Sequence, residues 1–271
     1  MEPTLSDAEY MKYQKLIYDT CGINFTSNKK QLLISRLRKR LIETKLHTFK
    51  DYREHILDER NKVELSEMLN AISTNKTDFF RESEHFKFLT NIGFPRIKND
   101  HSIRIWSAAS SSGEEAYTLA ITYLEYFGLL HHKDVKILAT DISTKVLNEA
   151  ELAIYTHAQV AAIPDNLLRK YFLKGHDKQK GQFLVKDNVK NMVHFKWLNL
   201  MKPFPFNSKF QIIFCRNVMI YFDKPTREML VEKIRTYLTP GGYLMIGNAE
   251  SLSGLNTRLK YVQPAVYQRV D

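Results

Sequence analysis

The chain has 271 residues, 44% of them hydrophobic, enough to bury one substantial core and a smaller second unit. Forty Lys and Arg against thirty Asp and Glu give a net charge of +10, which favours an anionic partner such as nucleic acid, an acidic protein or a charged cofactor. The termini show no leader pattern, and no span nears the ~20 apolar residues of a membrane helix, so no membrane insertion and a cytoplasmic location are expected. Cys21 and Cys215 lie far apart and outside any CxxC pair, which argues against a disulfide framework and structural zinc. The histidines form no ligand spacing, and His131-His132 reads as a solvated pair, so no metal is expected.

The first eighty or so residues read as helical. "LSDAEYMKYQKLIYDTCG" offers Ser6 as N-cap, Glu9 as its capping-box partner and Gly22 as a stop. "KQLLISRLRKRLIETKL" sets Leu33, Leu37 and Leu41 on one stripe, with Arg36, Arg38, Lys39 and Arg40 mostly off it. Between 28 and 53, Lys29, Lys30, Arg36, Arg38, Lys39, Arg40, Lys45, Lys50 and Arg53 face only Glu43 and Asp51, which concentrates a basic surface there. "TFKDYREHILD" and "KVELSEMLNAIS" continue the helical pattern, and no internal repeat is seen. The next stretch, "STNKTDFFRESEHF", reads as a capped helix whose Phe79 and Phe80 anchor it and whose Arg81 stays available for an anion.

From Ile103 onward, short apolar runs alternate with helical stretches, the pattern of an α/β sheet. Strands are expected at 103–107, 135–140, 192–197, 210–215, 242–246 and 265–269. The last two are joined by a connection too short for a crossover helix, so an antiparallel end is expected. The polar, turn-rich segment "YFLKGHDKQKGQFLVKDNV" reads as a small β insertion at about 172–195. The chain thus divides into a helical unit, 1–80, and an α/β unit, 81–271.

Ligands of open α/β sheets lie beyond the carboxyl ends of the strands. At the first end, "WSAASSSGEEAYTLA" offers small residues that admit a ligand to the backbone. Glu114 and Glu115 there would repel a pyrophosphate and suit a cationic ligand such as S-adenosylmethionine, although carboxylates also simply favour a helix N-terminus. At the second end, Asp141 of "VKILATDIS" suits a ribose diol or a helix cap. The third end, "FQIIFCRNVMIYF", lacks the Pro-Pro-aromatic run common in amino-methylating DNA enzymes and carries Arg216, Asn217 and Tyr221 instead. Cys215 inside this apolar strand reads as a small core residue rather than a nucleophile.

Taken in order, "NKTDFFRE", "WSAASSSGEEAYTLA", "LATDIS", "FCRNVMIYFDK" and the closing "AVYQ" resemble the chemotaxis receptor glutamate methyltransferases of the CheR type. The resemblance implies an α/β fold: a Rossmann-like methyltransferase sheet, a small all-helical N-terminal domain and an inserted β subdomain. It also implies S-adenosylmethionine as donor, S-adenosylhomocysteine as product and methyl esterification of glutamates on chemoreceptor cytoplasmic helices. Carried over by motif, Asn75, Thr77 and Arg81 border the cofactor, Glu115 faces its methionine part and Asp141 its ribose. Asn199, Leu200, Arg216 and Asn217 line it further, and Arg81 and Tyr221 are the catalytic candidates.

The implied mechanism needs no dedicated base, because a glutamate with a pKa of ~4.3 is already ionised at neutral pH. Under the same resemblance, Arg36, Arg38, Lys39 and Arg40 are suited to steer an acidic receptor. Some family members also bind a receptor tail peptide at the β insertion by β-augmentation. Those members carry Gly-x-Gly where this chain has Gly175-His176-Asp177, which leaves tail binding open. A monomer is expected. The competing readings are a nucleic-acid methyltransferase and a cofactor-sensing module without turnover.

Overall fold

The computed structural model describes residues 3–128 and 134–271, so His131 and His132 lie outside the described residues. Four helices open the chain: α1 (Asp7–Cys21), α2 (Lys30–Glu43), α3 (Phe49–Leu57) and α4 (Lys62–Ile72). Leu33, Leu37 and Leu41 are fully buried against Tyr13, Ile17, Phe49, Tyr52 and Met68, so the heptad-like stripe of α2 does become the core seam. Ser6 caps α1 by accepting from the Glu9 N–H at 3.2 Å, and Gly22 ends the helix at φ 74°. The reciprocal half of the capping box is absent. The Glu9 carboxylate binds Arg53 of α3 instead, because an ion pair inside the helical core outcompetes a local backbone bond.

The connection after α4 is irregular rather than a capped helix. Phe80 and Glu82 adopt left-handed backbone (φ 55° and 56°), and helix resumes only in α5 (Glu84–Phe88), a π turn (Leu89–Gly93) and α6 (Phe94–Ile97). The Phe79 anchor holds nonetheless, packed edge-on to Tyr155 at 4.8 Å and Phe172 at 5.5 Å.

The α/β unit then runs β1 (Ser102–Ala108), α7 (Glu114–Phe127), β2 (Asp134–Asp141), α8 (Thr144–Leu152), β3 (Ile154–Thr156), α9 (His157–Val160), α10 (Asp165–Tyr171), β4 (Phe172–Lys174), β5 (Gln182–Val185) and α11 (Asp187–Lys190). It closes with β6 (Val193–Trp197), β7 (Phe210–Cys215), α12 (Lys224–Tyr237), β8 (Leu238–Met245), β9 (Leu259–Gln263) and β10 (Val266–Arg269). Seven strands form the main sheet in the order β6-β2-β1-β7-β8-β10-β9. β6, β2, β1, β7 and β8 are parallel, while β10 runs antiparallel to β8 as expected. Alternation along β1 sends Ile103 and Ile105 to one core layer and Trp106 and Ala108 to the other.

Two differences from the sequence reading concern the edges. β9 pairs antiparallel with β10 across a turn at Pro264 and Ala265, the latter at φ 60°. As an edge strand its Lys260, Tyr261 and Val262 face solvent, so it carries none of the alternation that marks a half-buried strand. The small sheet, order β3-β5-β4, draws β3 from Ile154–Thr156, well before residue 172, while Val193–Trp197 joins the main sheet. Three-residue strands show too little periodicity to be read singly; their pairing defines them.

Candidate functional site

One cavity gathers nearly every candidate residue. Its wall comprises the exits of β1, β2, β6 and β7, the irregular 73–81 segment, and Cys21, Ile23, Phe25, Leu32 and Arg36 of the helical unit. Asn75, Thr77, Arg81, Glu115, Asp141, Asn199, Leu200, Arg216, Asn217 and Tyr221 all line it. The contribution of the helical unit was not legible, since no local pattern says which unit will lie over a sheet end.

The β1 exit shows why small residues stand there. Ala109 (φ 62°), Ser111 (φ 51°) and Gly113 (φ 94°) are left-handed, a conformation costly for bulky side chains. A Cβ on Gly113 would also lie 2.9 Å from the Ala150 Cβ. Asp141 holds this loop in place: its Oδ2 accepts from the Ser111 N–H and its Oδ1 from the Ser143 N–H, each at 2.9 Å. It is not the cap of α8, because Ser143 caps that helix by accepting from the Val146 N–H. Burial raises the Asp141 carboxyl above its ordinary value, opposed by the amides of Ser143, Ser111 and Ile142.

The two adjacent glutamates part company. Glu114 turns away to Ser112 and Gln159, whereas Glu115 enters the cavity, accepting from Ser107 Oγ at 2.7 Å and Arg216 Nη1 at 3.1 Å. Burial raises the Glu115 carboxyl, and Arg216 opposes it. Arg216 is itself buried, reaches Glu82 Oε2 at 3.0 Å, donates to the Arg81 carbonyl at 2.6 Å and lies over the rings of Phe86 and Phe214. Glu82 also accepts from Asn217 Nδ2 and the Asn248 N–H; burial pushes its carboxyl up, but Arg216 and these donors outweigh it and the net shift is downward. Glu82 was not among the sequence candidates, although it ends the "NKTDFFRE" motif. Buried His85 beside this cluster is held neutral, pushed down to about 4 by burial and by Arg216.

The remaining candidates divide by what their side chains do. Asn199 lines the cavity, yet its amide donates to the Thr20 carbonyl at 2.6 Å and its Oδ1 accepts from the Met201 N–H, so it joins the two units. Arg81 Nη1 donates to the Lys76 carbonyl at 2.9 Å. The Tyr221 carbonyl accepts from the Asn24 N–H at 2.8 Å, which seats its turn against the helical unit. Cys215 is fully buried, and burial pushes its thiol well up, as a core residue requires.

The basic set on α2 needs correction. Arg36 is not an outward charge: it lines the cavity, donating to the carbonyls of Ile72 and Ser73 and to Thr74 Oγ1. Burial lowers its pKa, an effect partly offset by the nearby Tyr221 hydroxyl. Arg40 is engaged with Glu64, which also accepts from the Tyr52 hydroxyl. Only Arg38 and Lys39 of the four are exposed, Lys39 lying 3.5 Å from Glu43. The 3.6-residue period puts 36 and 40 on a flank of the Leu stripe, where α4 and the cavity meet them.

The family model described as CheR methyltransferase, SAM binding domain, matches residues 75–267, and the one described as CheR methyltransferase, all-alpha domain, matches residues 8–73. The chain belongs to the CheR methyltransferase family. A chemotaxis protein methyltransferase of Borreliella burgdorferi is 43% identical over 271 residues, covering 96% of this chain and 94% of that protein. Chemotaxis protein methyltransferase 2 of Pseudomonas aeruginosa is 35% identical over 260 residues, covering 96% and 92%. This CheR-family chain is therefore an S-adenosylmethionine-dependent methyltransferase of chemotaxis.

The cavity fits that cofactor on its own chemistry. Its acids, half-buried Glu115 and buried Asp141, match an ammonium and a ribose diol, and Phe86, Leu198, Leu200 and Phe222 supply apolar wall. Among the described residues no cluster of His, Cys, Asp or Glu could hold a metal ion, and no helix is long and apolar enough to cross a membrane.

Proposed function

We propose that this protein methylates glutamate side chains of chemoreceptor cytoplasmic helices, forming the methyl esters used in chemotactic adaptation. The observation that carries this reading is the split of charge within one cavity. At the sheet end Asp141 is buried and Glu115 half-buried, the latter paired with the one buried base of the lining, Arg216, whereas Arg36, Lys29, Lys76 and Arg81 are half-buried or exposed, with Asp78 an exposed acid among them. The acids at the sheet end retain a cationic donor; accessible bases draw an anionic acceptor.

When bound, S-adenosylmethionine supplies an electrophilic methyl on a sulfonium, and transfer leaves S-adenosylhomocysteine. Glu115 holds the ammonium and Asp141 the ribose, while Asn75, Thr77, Leu200 and Asn217 shape the remaining wall. The Tyr221 hydroxyl donates to the incoming carboxylate, and Arg81 and Arg36 steady its charge, so the acceptor is oriented without any group having to remove a proton. Arg38 and Lys39, outward on α2, steer the acidic receptor surface.

Incubation with methyl-labelled S-adenosylmethionine, receptor-containing membranes and RNA, followed by mild alkali, tests the reading. Carboxyl methyl esters release volatile methanol, so alkali-labile label on receptor protein is the expected result. Alkali-stable label on nucleic acid would overturn it.

A further inference from the structure

The turn Met219–Tyr221 has two sides. Tyr221 walls the cofactor cavity, and Met219 and Ile220 wall a second cavity of about 240 Å³ that is completed by Arg227 of α12 and by Glu250, Ser251 and Ser253 after β8. Arg227 is the only cation in that second lining. Its Nε is buried and has no hydrogen-bond partner, and no ion pair among the described residues uses it.

The acids around Arg227 are already committed. Glu250 accepts from the N–H groups of Asn217, Gly247 and Ile220, which ties down the turn. Asp223, close enough to feel the Arg227 charge, accepts from the Thr226 N–H and the Tyr18 hydroxyl at 3.0 Å each. Arg227 is half-buried, and its terminal guanidinium nitrogens, which unlike Nε are not enclosed, can give an incoming carboxylate a charge-assisted bond. The hydroxyls of Ser251 and Ser253 add further donors on the same wall, and Ile220, 50% exposed, offers an apolar shelf between the two cavities.

We infer that this second cavity is an acidic-residue subsite, which seats a carboxylate side chain of the substrate protein beside the glutamate being methylated and so sets which glutamates are chosen. The inference rests on the glutamate-methylating reading above. Its specificity element is Arg227, in the first turn of α12; the turn Met219–Tyr221 contributes to both cavities, so one substrate segment spans them.

A double-mutant cycle on the full chain tests it. The probes are a chemoreceptor cytoplasmic fragment and its variant, in which acidic residues within one helical turn of the methylated glutamate become amides. Wild type and Arg227→Gln are compared by KM and, without turnover, by calorimetric dissociation constants for the fragment. Each single change should weaken binding about tenfold, and the two together no more than either alone. Ser251→Ala with Ser253→Ala should act in the same direction, and cofactor affinity and melting temperature report that the variants are folded.

Additive effects, or a fragment affinity indifferent to Arg227→Gln, would overturn the subsite. So would sensitivity of Arg227 to inorganic phosphate alone, with fragment binding unchanged. Absence of methyl ester from the wild-type reaction would speak against the glutamate reading, and the calorimetric cycle would still decide the subsite.

Discussion

Arg216 Nη1 lies 3.1 Å from Glu115 Oε2, a buried ion pair that couples the exit of β7 to the start of α7 across the sheet. Because the same guanidinium also neutralises Glu82, removing it strands two carboxylates in a poorly solvated place. Arg216→Leu should lower stability by about 3–5 kcal/mol. Chemical denaturation measures this, and a loss below about 1 kcal/mol would mean that the two carboxylates are solvated.

Glu115→Gln should instead cost affinity rather than stability. Glutamine keeps one acceptor oxygen, for Arg216, and its amide can donate to the Ser107 hydroxyl, but it removes the negative charge proposed to meet the cofactor ammonium. The dissociation constant for S-adenosylmethionine, measured by calorimetry, should rise at least about tenfold while the melting temperature barely moves.

The raised carboxyls of Glu115 and Asp141 have opposite consequences for folding and for binding. In the ligand-free fold these groups hold protons more tightly than in the unfolded chain. Their contribution to stability therefore falls as pH rises from ~4 through their raised values. In the proposed roles the cofactor is held by the ionised forms, so affinity should drop as pH falls through the same window. A calorimetric pH series with wild type and Glu115→Gln checks the sign: the variant should show a flatter profile.

Arg40 and the Arg38–Lys39 pair should separate stability from recognition. Arg40→Gln breaks the contact with Glu64 and Tyr52 and should destabilise the fold by about 1–3 kcal/mol, read from thermal denaturation. Neutralising Arg38 and Lys39 should leave stability within about 0.5 kcal/mol, while reducing receptor methylation and its salt dependence. Methylation equally salt-dependent after that change would remove α2 from receptor steering.

Tyr221→Phe and Arg81→Ala address the transfer itself. Each should reduce kcat about tenfold or more, with cofactor affinity little changed in the tyrosine variant. Unchanged turnover in Tyr221→Phe would take the hydroxyl out of acceptor orientation.

Gly22 tests the joint between the units. It is left-handed at φ 74°, and an added Cβ would lie 2.6 Å from Met201 Sδ, so Gly22→Ala should cost about 1–2 kcal/mol and weaken cofactor binding by shifting the helical unit over the cavity.

Much of this was written locally. The Leu33–Leu37–Leu41 stripe, the small-residue exit of β1, Asp141 at the end of β2 and the Arg216-Asn217 pair after β7 are short-range signals, because helix period, strand alternation and turn sterics act within a few residues. The strand exits meet at one end of the sheet because the topology is parallel, and Ala109, Ser111, Asp141, Arg216 and Asn217 line the cavity there, whereas the leucine stripe forms the core of the helical unit. What tertiary structure alone decided are the choices among partners. Glu9 prefers Arg53 to its own helix cap, Glu114 and Glu115 take different sides, and Arg36 and Arg40 turn inward to the cavity and to Glu64. Residue type sets what a charge can bind, but burial sets which bond is worth most, and burial is fixed only when distant segments meet.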